Sequence, residues 1–367
     1  MRLSGDRVFA LIVAILVIGG AAIFLSAALG LLAREGSSIG RLAITQLVLG
    51  LIPGVIAIIG IRFAPPEWIQ KAVIPFYICA LLLTAAVFIP GVGMHAGGAT
   101  RWIALGPITV QPAEFLKPAV IMMLALFLAQ AKDKLKDFKH GLIPFALIVG
   151  IPSLLLLAQP NTSTTLIIGA TSAALYFLAG AKWRDFAILL VMALIVLGGL
   201  VATRPYLMSR VATFIHPEHD GLGSGYQIQQ SLIAVGSGQL LGRGFGQSAQ
   251  KYNYLPEPVG DSVFAVYAEE FGFLGAVLLV LLFLAFATRG FTIAAQASNA
   301  FGSYAATGLT LLITLSAFMN IGAMLGIMPL TGLPLPFVSH GGTALLATLA
   351  TVGIIFNIAA HRTKRRT

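Results

Sequence analysis

The sequence contains few charged residues and almost no cysteine. Only 10% of its 367 residues are charged and just 13 are Asp or Glu, whereas 58% are hydrophobic and the mean hydropathy is +0.93. The single cysteine, Cys79, excludes an intramolecular disulfide and a cysteine-based metal site. Because apolar runs repeatedly reach the length needed to cross a bilayer, little of the chain remains for a separate soluble domain. These scarcities indicate an integral membrane protein.

Ten apolar runs follow one another along the chain. They predict an all-α polytopic membrane protein of about ten transmembrane helices, in which residues 1–367 form a single integral-membrane domain. A long loop, at about residues 204–260, separates the seventh run from the eighth. The expected spans cover residues 8–33, 40–62, 72–92, 111–131, 142–160, 163–180, 184–203, 261–288, 302–328 and 340–360.

The Lys and Arg residues predict the orientation of these spans. Placing both termini in the cytoplasm puts most of the 23 basic residues on the inner side, as the positive-inside rule requires. This preference accounts for the basic charge balance without nucleic acid as a partner. In this orientation, the connections rich in glycine and proline follow the third, fifth, seventh and ninth spans, all on the outer side. Any chemistry is therefore expected on the extracytoplasmic face.

Two carboxylates, Glu257 and Asp261, lie where the long extracytoplasmic loop meets the eighth span. Ionisable groups at the edge of a hydrocarbon layer are costly and are often functional. Capping of the following helix by Asp261 is the structural alternative, although it does not account for Glu257. Two further acids, Glu269 and Glu270, lie deeper in the same span. They are expected to pair with Lys117 or to form hydrogen bonds within the bundle rather than to catalyse.

Several cationic side chains on the outer side are candidates for binding phosphate. Arg101 could hold a phosphate in a bidentate manner, or it could anchor the chain at the membrane interface. Lys117 follows Glu114 by three residues on one helical face, which suits either a helix-stabilising pair or a counter-charge for a lipid-linked phosphate. Arg210 and Arg243 lie in the long loop. The glycines around Arg243 lack the strand that a nucleotide-binding fingerprint requires.

Three other segments have expected structural roles. Residues 226–235 have the spacing of an amphipathic helix near the interface. Asn161 and Ser163, in a tight outer turn, suit the cap of the next helix. The glycines and prolines of residues 330–343 predict a broken helix or a re-entrant segment that lines a cavity. His340, within that segment, is assigned a structural rather than a catalytic role.

The polar segments of this chain occur together in one family. The chain resembles the SEDS (shape, elongation, division and sporulation) family, whose members include FtsW and RodA, from the first span to the tenth. The matching blocks are residues 101–114, 226–246, 255–270 and 331–342. The resemblance implies polymerisation of peptidoglycan from lipid II at the outer face of the bacterial cytoplasmic membrane. It also implies a class B penicillin-binding transpeptidase and other division or elongation proteins as partners, and the sequence leans towards the FtsW branch.

The resemblance also implies roles for individual residues. Asp261 corresponds to the essential acidic residue of the family, and Lys117 to a position linked to activity. Asp261 is therefore predicted to act as general base on the 4-hydroxyl of the acceptor GlcNAc, which attacks C1 of the donor MurNAc. Undecaprenyl pyrophosphate leaves, and cations absorb its charge. The residues expected to bind substrate are Arg101, Glu114, Lys117, Arg210, Gln227, Arg243, Glu257 and Ser339.

The sequence leaves open a cofactor and two alternative functions. It contains no ligand cluster that demands a metal, although a divalent cation, Mg²⁺ or Mn²⁺, could bridge a carboxylate and the pyrophosphate. A lipid II flippase would use the same spans and broken helices. A non-catalytic scaffold of the division complex would not need Asp261. The crowding of polar motifs on the outer side favours the enzyme over the transporter.

Three places depart from the family pattern. Asn161 and Ser163 stand where the family has Asp and Gly, so no functional role is assigned to that turn. His340 stands at a position that is usually aromatic. Val259 and Gly260 replace the His-Thr pair that usually precedes the acidic residue, and their side chains cannot supply essential hydrogen bonds.

Overall fold

The structure of the protein is a computed structural model that describes residues 6–35, 44–96, 99–106, 108–216, 223–252 and 254–362. These residues form twelve α-helices and one small β-sheet. The helices are α1 (Arg7–Glu35), α2 (Gln46–Phe63, π-helical over Gln46–Leu51), α3 (Pro66–Ala86), α4 (Pro112–Ala131), α5 (Phe138–Ala158, π-helical over Phe138–Leu142), α6 (Thr162–Leu178), α7 (Trp183–Thr203), α8 (Pro205–Ile215), α9 (Ser224–Ser237), α10 (Val263–Ala295), α11 (Ala300–Met324) and α12 (Gly342–Ala360).

Ten of these helices correspond to the ten predicted spans. Within the described ranges, nine helices are long and apolar enough to cross a bilayer, and α6 is a shorter apolar helix between two of them. The prediction of an all-α polytopic membrane protein is therefore confirmed. The clearest differences are in α3, which covers Pro66–Ala86 rather than residues 72–92, and in α10, which continues to Ala295 rather than ending at residue 288.

The long loop is more structured than the sequence indicates. The amphipathic helix expected over residues 226–235 is present as α9. A second helix, α8, was not predicted; it begins directly after α7, with Pro205 in its first turn, where a missing N–H costs nothing. Residues 217–222 and 253 of this loop lie outside the described residues.

A three-stranded antiparallel sheet precedes α4 and is the one departure from the expected all-helical architecture in the described part of the chain. Its central strand, β2 (Ala99–Leu105), pairs with β1 (Gly93–Ala96) and with β3 (Ile108–Val110). The outer strands are only four and three residues long, too short for an alternating pattern to reveal them. The central strand β2 carries Arg101, one of the residues predicted to bind substrate.

Helices α4 and α11 form the most enclosed part of the bundle. They pack against each other, and α11 also contacts α6, α10 and α12. By contrast, no residue in the most apolar stretch of α7 is buried. The polar side chains of α4 and α11 therefore face protein rather than lipid, as the cost of placing them in hydrocarbon requires. Glu114, Lys117 and Asn320 are all buried.

Two interruptions of the helices shape the end of the bundle that carries the long loop. Residues 325–341 connect α11 to α12 without a helix, yet Leu333, Leu335 and Phe337 are buried. The interruption expected here is therefore present, and the non-helical stretch, named the re-entrant segment after that expectation, is enclosed by protein. Inside α10, Gly272 has φ 66° and ψ −166°, which separates residues 263–271 from the rest of the helix.

Candidate active site

Asp261 lies just before α10, at a point where three other elements meet. Its Oδ1 accepts a hydrogen bond of 3.1 Å from Nε2 of Gln227 on α9, and the same Nε2 is 2.9 Å from Oγ of Ser262. The main-chain oxygen of Asp261 accepts a bond of 2.8 Å from Nδ2 of Asn320 on α11, which also binds the Leu333 oxygen at 2.7 Å. Asp261 is therefore held through both its side chain and its main chain.

Capping does not explain this aspartate. Helix α10 begins at Val263, and the residue at the N-cap position is Ser262, whose side chain makes no capping hydrogen bond. The alternative that Asp261 caps the helix is wrong. Asp261 is not fully buried, and its carboxylate is not taken up by a cap.

The surroundings of Asp261 make its carboxylate an unusual base. Burial, followed by the negative charge of Glu257, raises the pKa of Asp261 to about 6, against weaker lowering effects of the Gln227 hydrogen bond and the Arg210 charge. Glu257 has φ 46°, and its carbonyl oxygen accepts bonds from the N–H groups of Gly260 and Ser262 at 3.0 and 3.3 Å. This turn brings the two carboxylates together.

Arg210 on α8 lies close to Asp261, and their charges interact. Its Nη1 donates to the Leu330 oxygen at 2.9 Å, and its guanidinium lies 4.6 Å from the centre of the Tyr206 ring. A Cβ atom built on Gly332 would be 3.7 Å from both Nη2 of Arg210 and Oδ2 of Asp261. The cation and the carboxylate thus both lie close to one glycine, which places no side chain beside them. Burial lowers the pKa of Arg210 from its ordinary value.

The re-entrant segment is bonded to the loop that carries Asp261. Ser339 Oγ donates to the Gly260 oxygen at 2.6 Å and accepts from the Leu335 N–H at 2.8 Å. The main-chain N–H of His340 donates to the Val259 oxygen at 2.7 Å. Ser339 therefore has a clear structural task, and its predicted contact with substrate stays a prediction. The backbone bond of His340 agrees with the structural role expected for it.

Glu114 and Lys117 form a buried ion pair of 2.8 Å in a neighbouring cavity. Glu114 is therefore the partner of Lys117, and the alternative in which Glu269 or Glu270 pairs with Lys117 is wrong. Those two acids make hydrogen bonds within the bundle, which was the other alternative. The cavity is lined by Glu114, Lys117, Pro118, Leu312, Ile313, Ser316, Leu333, Pro334, Leu335, Pro336, Phe337, Ser339, Ala344, Leu345, Ala347, Thr348 and Thr351. The segment 333–339 thus lines this cavity and is also bonded to the Asp261 loop.

Arg101 and Arg243 occupy different surroundings. Arg101 donates to the main-chain oxygens of Gln159 and Pro160, and its charge acts on Arg210. Arg243 is exposed and lies 3.5 Å from Glu269. The structure therefore places Arg101 near Arg210, whereas Arg243 contacts Glu269 and not the residues around Asp261.

The turn that Arg101 holds does not form the expected cap. Asn161 is at the N-cap position of α6 but makes no capping bond with its side chain, whose Nδ2 is buried without a partner. The capping role predicted for it is wrong. Ser163 Oγ instead donates to the Thr331 oxygen of the re-entrant segment. The turn therefore supports the segment that contains Gly332.

Comparison with known proteins identifies the family. Residues 6–364 match the family described as cell cycle proteins of the FtsW, RodA and SpoVE type. The chain belongs to this family, the SEDS family. It is 41% identical over 284 residues to stage V sporulation protein E of Bacillus subtilis (strain 168), covering 77% of each chain. It is 38% identical over 295 residues to a probable peptidoglycan glycosyltransferase FtsW of Geobacter sp. (strain M18), covering 80% of each.

Solved structures agree with the family. A chain from a peptidoglycan synthase complex, whose structure concerns the coordination of polymerization and crosslinking, superposes with a TM-score of 0.81 at 27% identity. That match covers 99% of this chain and 100% of the other. The rod shape determining protein RodA of Thermus thermophilus superposes with a TM-score of 0.70 at 26% identity, covering 99% of each chain. The fold of this SEDS protein is therefore shared along its whole length.

Some residues of the SEDS site were not given a role from the sequence. Asn320 bonds both the Asp261 loop and the re-entrant segment, Tyr206 stacks on Arg210, and Gly332 provides the gap between cation and carboxylate. The available signal for Asn320 was an amide inside an apolar span, which is costly unless it is bonded. The described residues contain no group of three or more His, Cys, Asp or Glu side chains that could hold a metal ion.

Proposed function

We propose that this SEDS protein is a peptidoglycan glycosyltransferase that polymerises glycan strands, in cell division or cell elongation, from the lipid-linked disaccharide lipid II. One observation carries the proposal: the Asp261 carboxylate, with a pKa of about 6, and the Arg210 guanidinium both lie close to Gly332. A base and a cation close to one another are what a sugar transfer with an anionic leaving group requires. The names of the FtsW relatives support the same reaction class.

Asp261 acts as the general base in this proposal. At neutral pH a carboxyl group with this pKa is mostly ionised, yet it is a stronger base than an ordinary aspartate. It takes the proton of the acceptor 4-hydroxyl as that oxygen bonds to C1 of the donor sugar. The bond from C1 to the pyrophosphate oxygen breaks in the same displacement, which inverts the anomeric centre. General-base catalysis contributes roughly 10²–10⁴ in rate.

The cations around Asp261 are suited to the leaving group. Arg210 is the nearest, and its hydrogen bond to the Leu330 oxygen leaves other N–H donors free to bind a pyrophosphate oxygen. Arg101 lies close enough to Arg210 for their charges to interact. Lys117 is placed in the adjoining cavity, where Glu114 holds its ammonium. A fixed set of donors that meets developing charge lowers the barrier without reorganising at the moment of reaction.

The proposal extends to topology and partners. Both termini would lie in the cytoplasm and the Asp261 site would face outward, as the distribution of Lys and Arg favours. A class B penicillin-binding transpeptidase would crosslink the strands that this chain makes. The similarity to a chain of a peptidoglycan synthase complex supports such a partnership.

Polymerisation by an Asp261→Asn variant tests the central claim. The purified variant should still bind lipid II, but strand formation should fall by roughly 10²–10⁴, because the amide cannot accept the proton. Asp137→Asn, at an exposed position in another loop, is the matched control and should polymerise normally. The assay measures glycan strands with and without the transpeptidase. Near-normal polymerisation by Asp261→Asn would exclude this residue as the base. Movement of lipid II across vesicles without strand growth would favour the flippase.

The charge of Arg210 provides a second test of the same site. Arg210→Gln should lower kcat/KM for lipid II by on the order of 10²-fold, as expected for the loss of one donor to the reacting charge. Arg204→Gln is the matched control, since Arg204 is exposed at the start of the same helix. Equal effects of the two substitutions on strand synthesis would show that general basic charge, rather than Arg210, matters.

A further inference from the structure

The most deeply buried ion pair of the described residues is not part of the site above. Lys251 and Glu270 are both almost fully buried, and Nζ lies 2.7 Å from Oε1. Ser26 on α1 donates to both oxygens of Glu270, at 2.7 and 2.6 Å, and its Oγ is 3.2 Å from the Lys251 Nζ. This pair connects the first span, the eighth span and the end of the long loop.

The neighbouring acid, Glu269, binds the same part of the loop. Its carboxylate accepts a hydrogen bond of 2.5 Å from Ser248 Oγ and bonds of 3.1 and 3.2 Å from the N–H groups of Ala249 and Gln250. A carboxylate that accepts three hydrogen bonds fixes the turn around it. Glu269 and Glu270 therefore bind residues 248–251 as a unit.

The main chain beside these two acids is also held from outside the helix. At the break at Gly272, the oxygens of Glu269 and Glu270 accept bonds from the N–H groups of Arg243 and Gly244, at 3.0 and 2.9 Å. Beyond the break, the N–H groups of residues 273 and 274 donate to the oxygens of residues 239 and 240. The loop at 239–244 thus replaces the missing hydrogen bonds of the helix.

These contacts join the elements that carry the catalytic groups. The short helix at residues 263–271 begins two residues after Asp261 and ends at the two acids. Helix α9, which carries Gln227, continues into the loop that fills the break. A rotation of the short helix would therefore move Asp261 relative to Gln227, and the buried ions oppose that rotation.

Stability alone does not account for this arrangement. Replacing a buried ion pair by apolar side chains of similar volume is often neutral or stabilising, because desolvation offsets the attraction between the charges. What the charges add is a fixed geometry. We propose that Lys251, with Glu270 and Glu269, is a positioning device that holds the helix at 263–271 so that the Asp261 carboxylate stays against Gln227. The inference rests on the proposed function, in which Asp261 is the base.

The experiment compares the double variant Lys251→Met/Glu270→Met with the wild-type protein. Glycan synthesis is measured against lipid II concentration and pH, and thermal unfolding reports stability. The titration of Asp261 is followed through the infrared band of its protonated carboxyl group, which is identified by its loss in Asp261→Asn. The matched control is Asp6→Met/Arg289→Met, which removes a 2.7 Å ion pair of α10 distant in sequence from Asp261.

We expect kcat of the Lys251/Glu270 double variant to fall by on the order of 10²-fold, with a smaller change in KM. The base takes part in the chemical step and not in substrate binding, so its misplacement affects mainly kcat. The infrared midpoint should move to lower pH, as Asp261 leaves its buried position beside Glu257. The control variant Asp6→Met/Arg289→Met should change the temperature of thermal unfolding without moving the infrared midpoint of Asp261. A folded double variant with wild-type kcat and midpoint overturns the proposal.

Two further outcomes are decisive. If the double variant does not fold, Lys251→Gln/Glu270→Gln provides the same comparison, since the amide at position 270 can still accept from Ser26 while both charges are lost. If the wild-type protein makes no glycan, the proposed function fails, yet the infrared midpoint still decides whether the ion pair positions Asp261.

Discussion

The charge of Glu257 is the feature of Asp261's surroundings that a single substitution can remove most cleanly. Burial is the larger cause of the raised pKa, and the nearby carboxylate adds to it. A general base works only when it is ionised, so the rate should rise with pH through about 6 and then level off. Removing the Glu257 charge makes ionisation of Asp261 easier and should lower its pKa.

Glu257→Gln is therefore expected to shift the acid limb of the kcat profile to lower pH. Activity at about pH 5, relative to activity at pH 8, should rise compared with the wild-type protein, although a loss of substrate contacts can lower both values. Glycan synthesis across pH 4.5 to 8 is the measurement. Glu67→Gln, an exposed glutamate in the first turn of α3, is the matched control. An acid limb unchanged in Glu257→Gln would mean that this charge does not act on the base.

At the scale of elements, the re-entrant segment has to approach the site without a side chain at Gly332. This residue has φ 64°, in the region that disfavours side chains, and a Cβ would fill the space beside Arg210 and Asp261, 3.7 Å from a side-chain atom of each. The helices on either side fix this approach, through the Asn320 bond to Leu333 and the Arg210 bond to Leu330. The segment is therefore a wall of the site whose shape is set by its neighbours.

Gly332→Ala should lose activity by more than its loss of stability explains. The backbone cost of alanine in the left-handed region is about 1–2 kcal/mol. Gly106 has the same φ of 64°, and nothing lies within 4 Å of a Cβ built there, so Gly106→Ala carries the backbone cost alone. The temperature of thermal unfolding should fall by a similar amount in both variants, while the rate of strand synthesis should fall only in Gly332→Ala. Similar activity losses in both would show that strain, not the filled gap, is responsible.

The sequence predicted the spans of the whole molecule because hydrophobic length is a local property. It also singled out Asp261, because a charged residue is unusual at the edge of an apolar span, and the segment after α11, because glycine is unusually frequent there. It did not predict the contacts that build the site. The bond from Gln227 to Asp261, or the pairing of Glu270 with Lys251 rather than Lys117, depends on which helices meet after folding. The short strands were not predicted for a different reason: segments of three or four residues are too short to show an alternating pattern.

A last prediction concerns the part of the molecule where the first and last described segments meet. Asp6 accepts from the N–H of Phe9 at 3.0 Å, and its carboxylate binds Arg289 at the end of α10 and Arg362 after α12. Burial raises the pKa of this carboxyl group, but the hydrogen bonds from Arg289 and Phe9 and the Arg289 charge outweigh it, so the pKa lies below its ordinary value of 3.8. The ionised form is therefore favoured by folding.

A carboxyl group with a lowered pKa stabilises the folded state above its unfolded pKa, and this stability is lost as pH falls through the folded value. Asp6→Asn should thus unfold at a lower temperature than the wild-type protein at pH 7, and the difference should shrink below about pH 4. The measurement is thermal unfolding in detergent from pH 7 to pH 3, with Glu67→Gln as the matched control. Because this carboxylate pairs with both Arg289 and Arg362, a pH-independent difference would mean that Asp6 acts through packing or capping rather than through its charge.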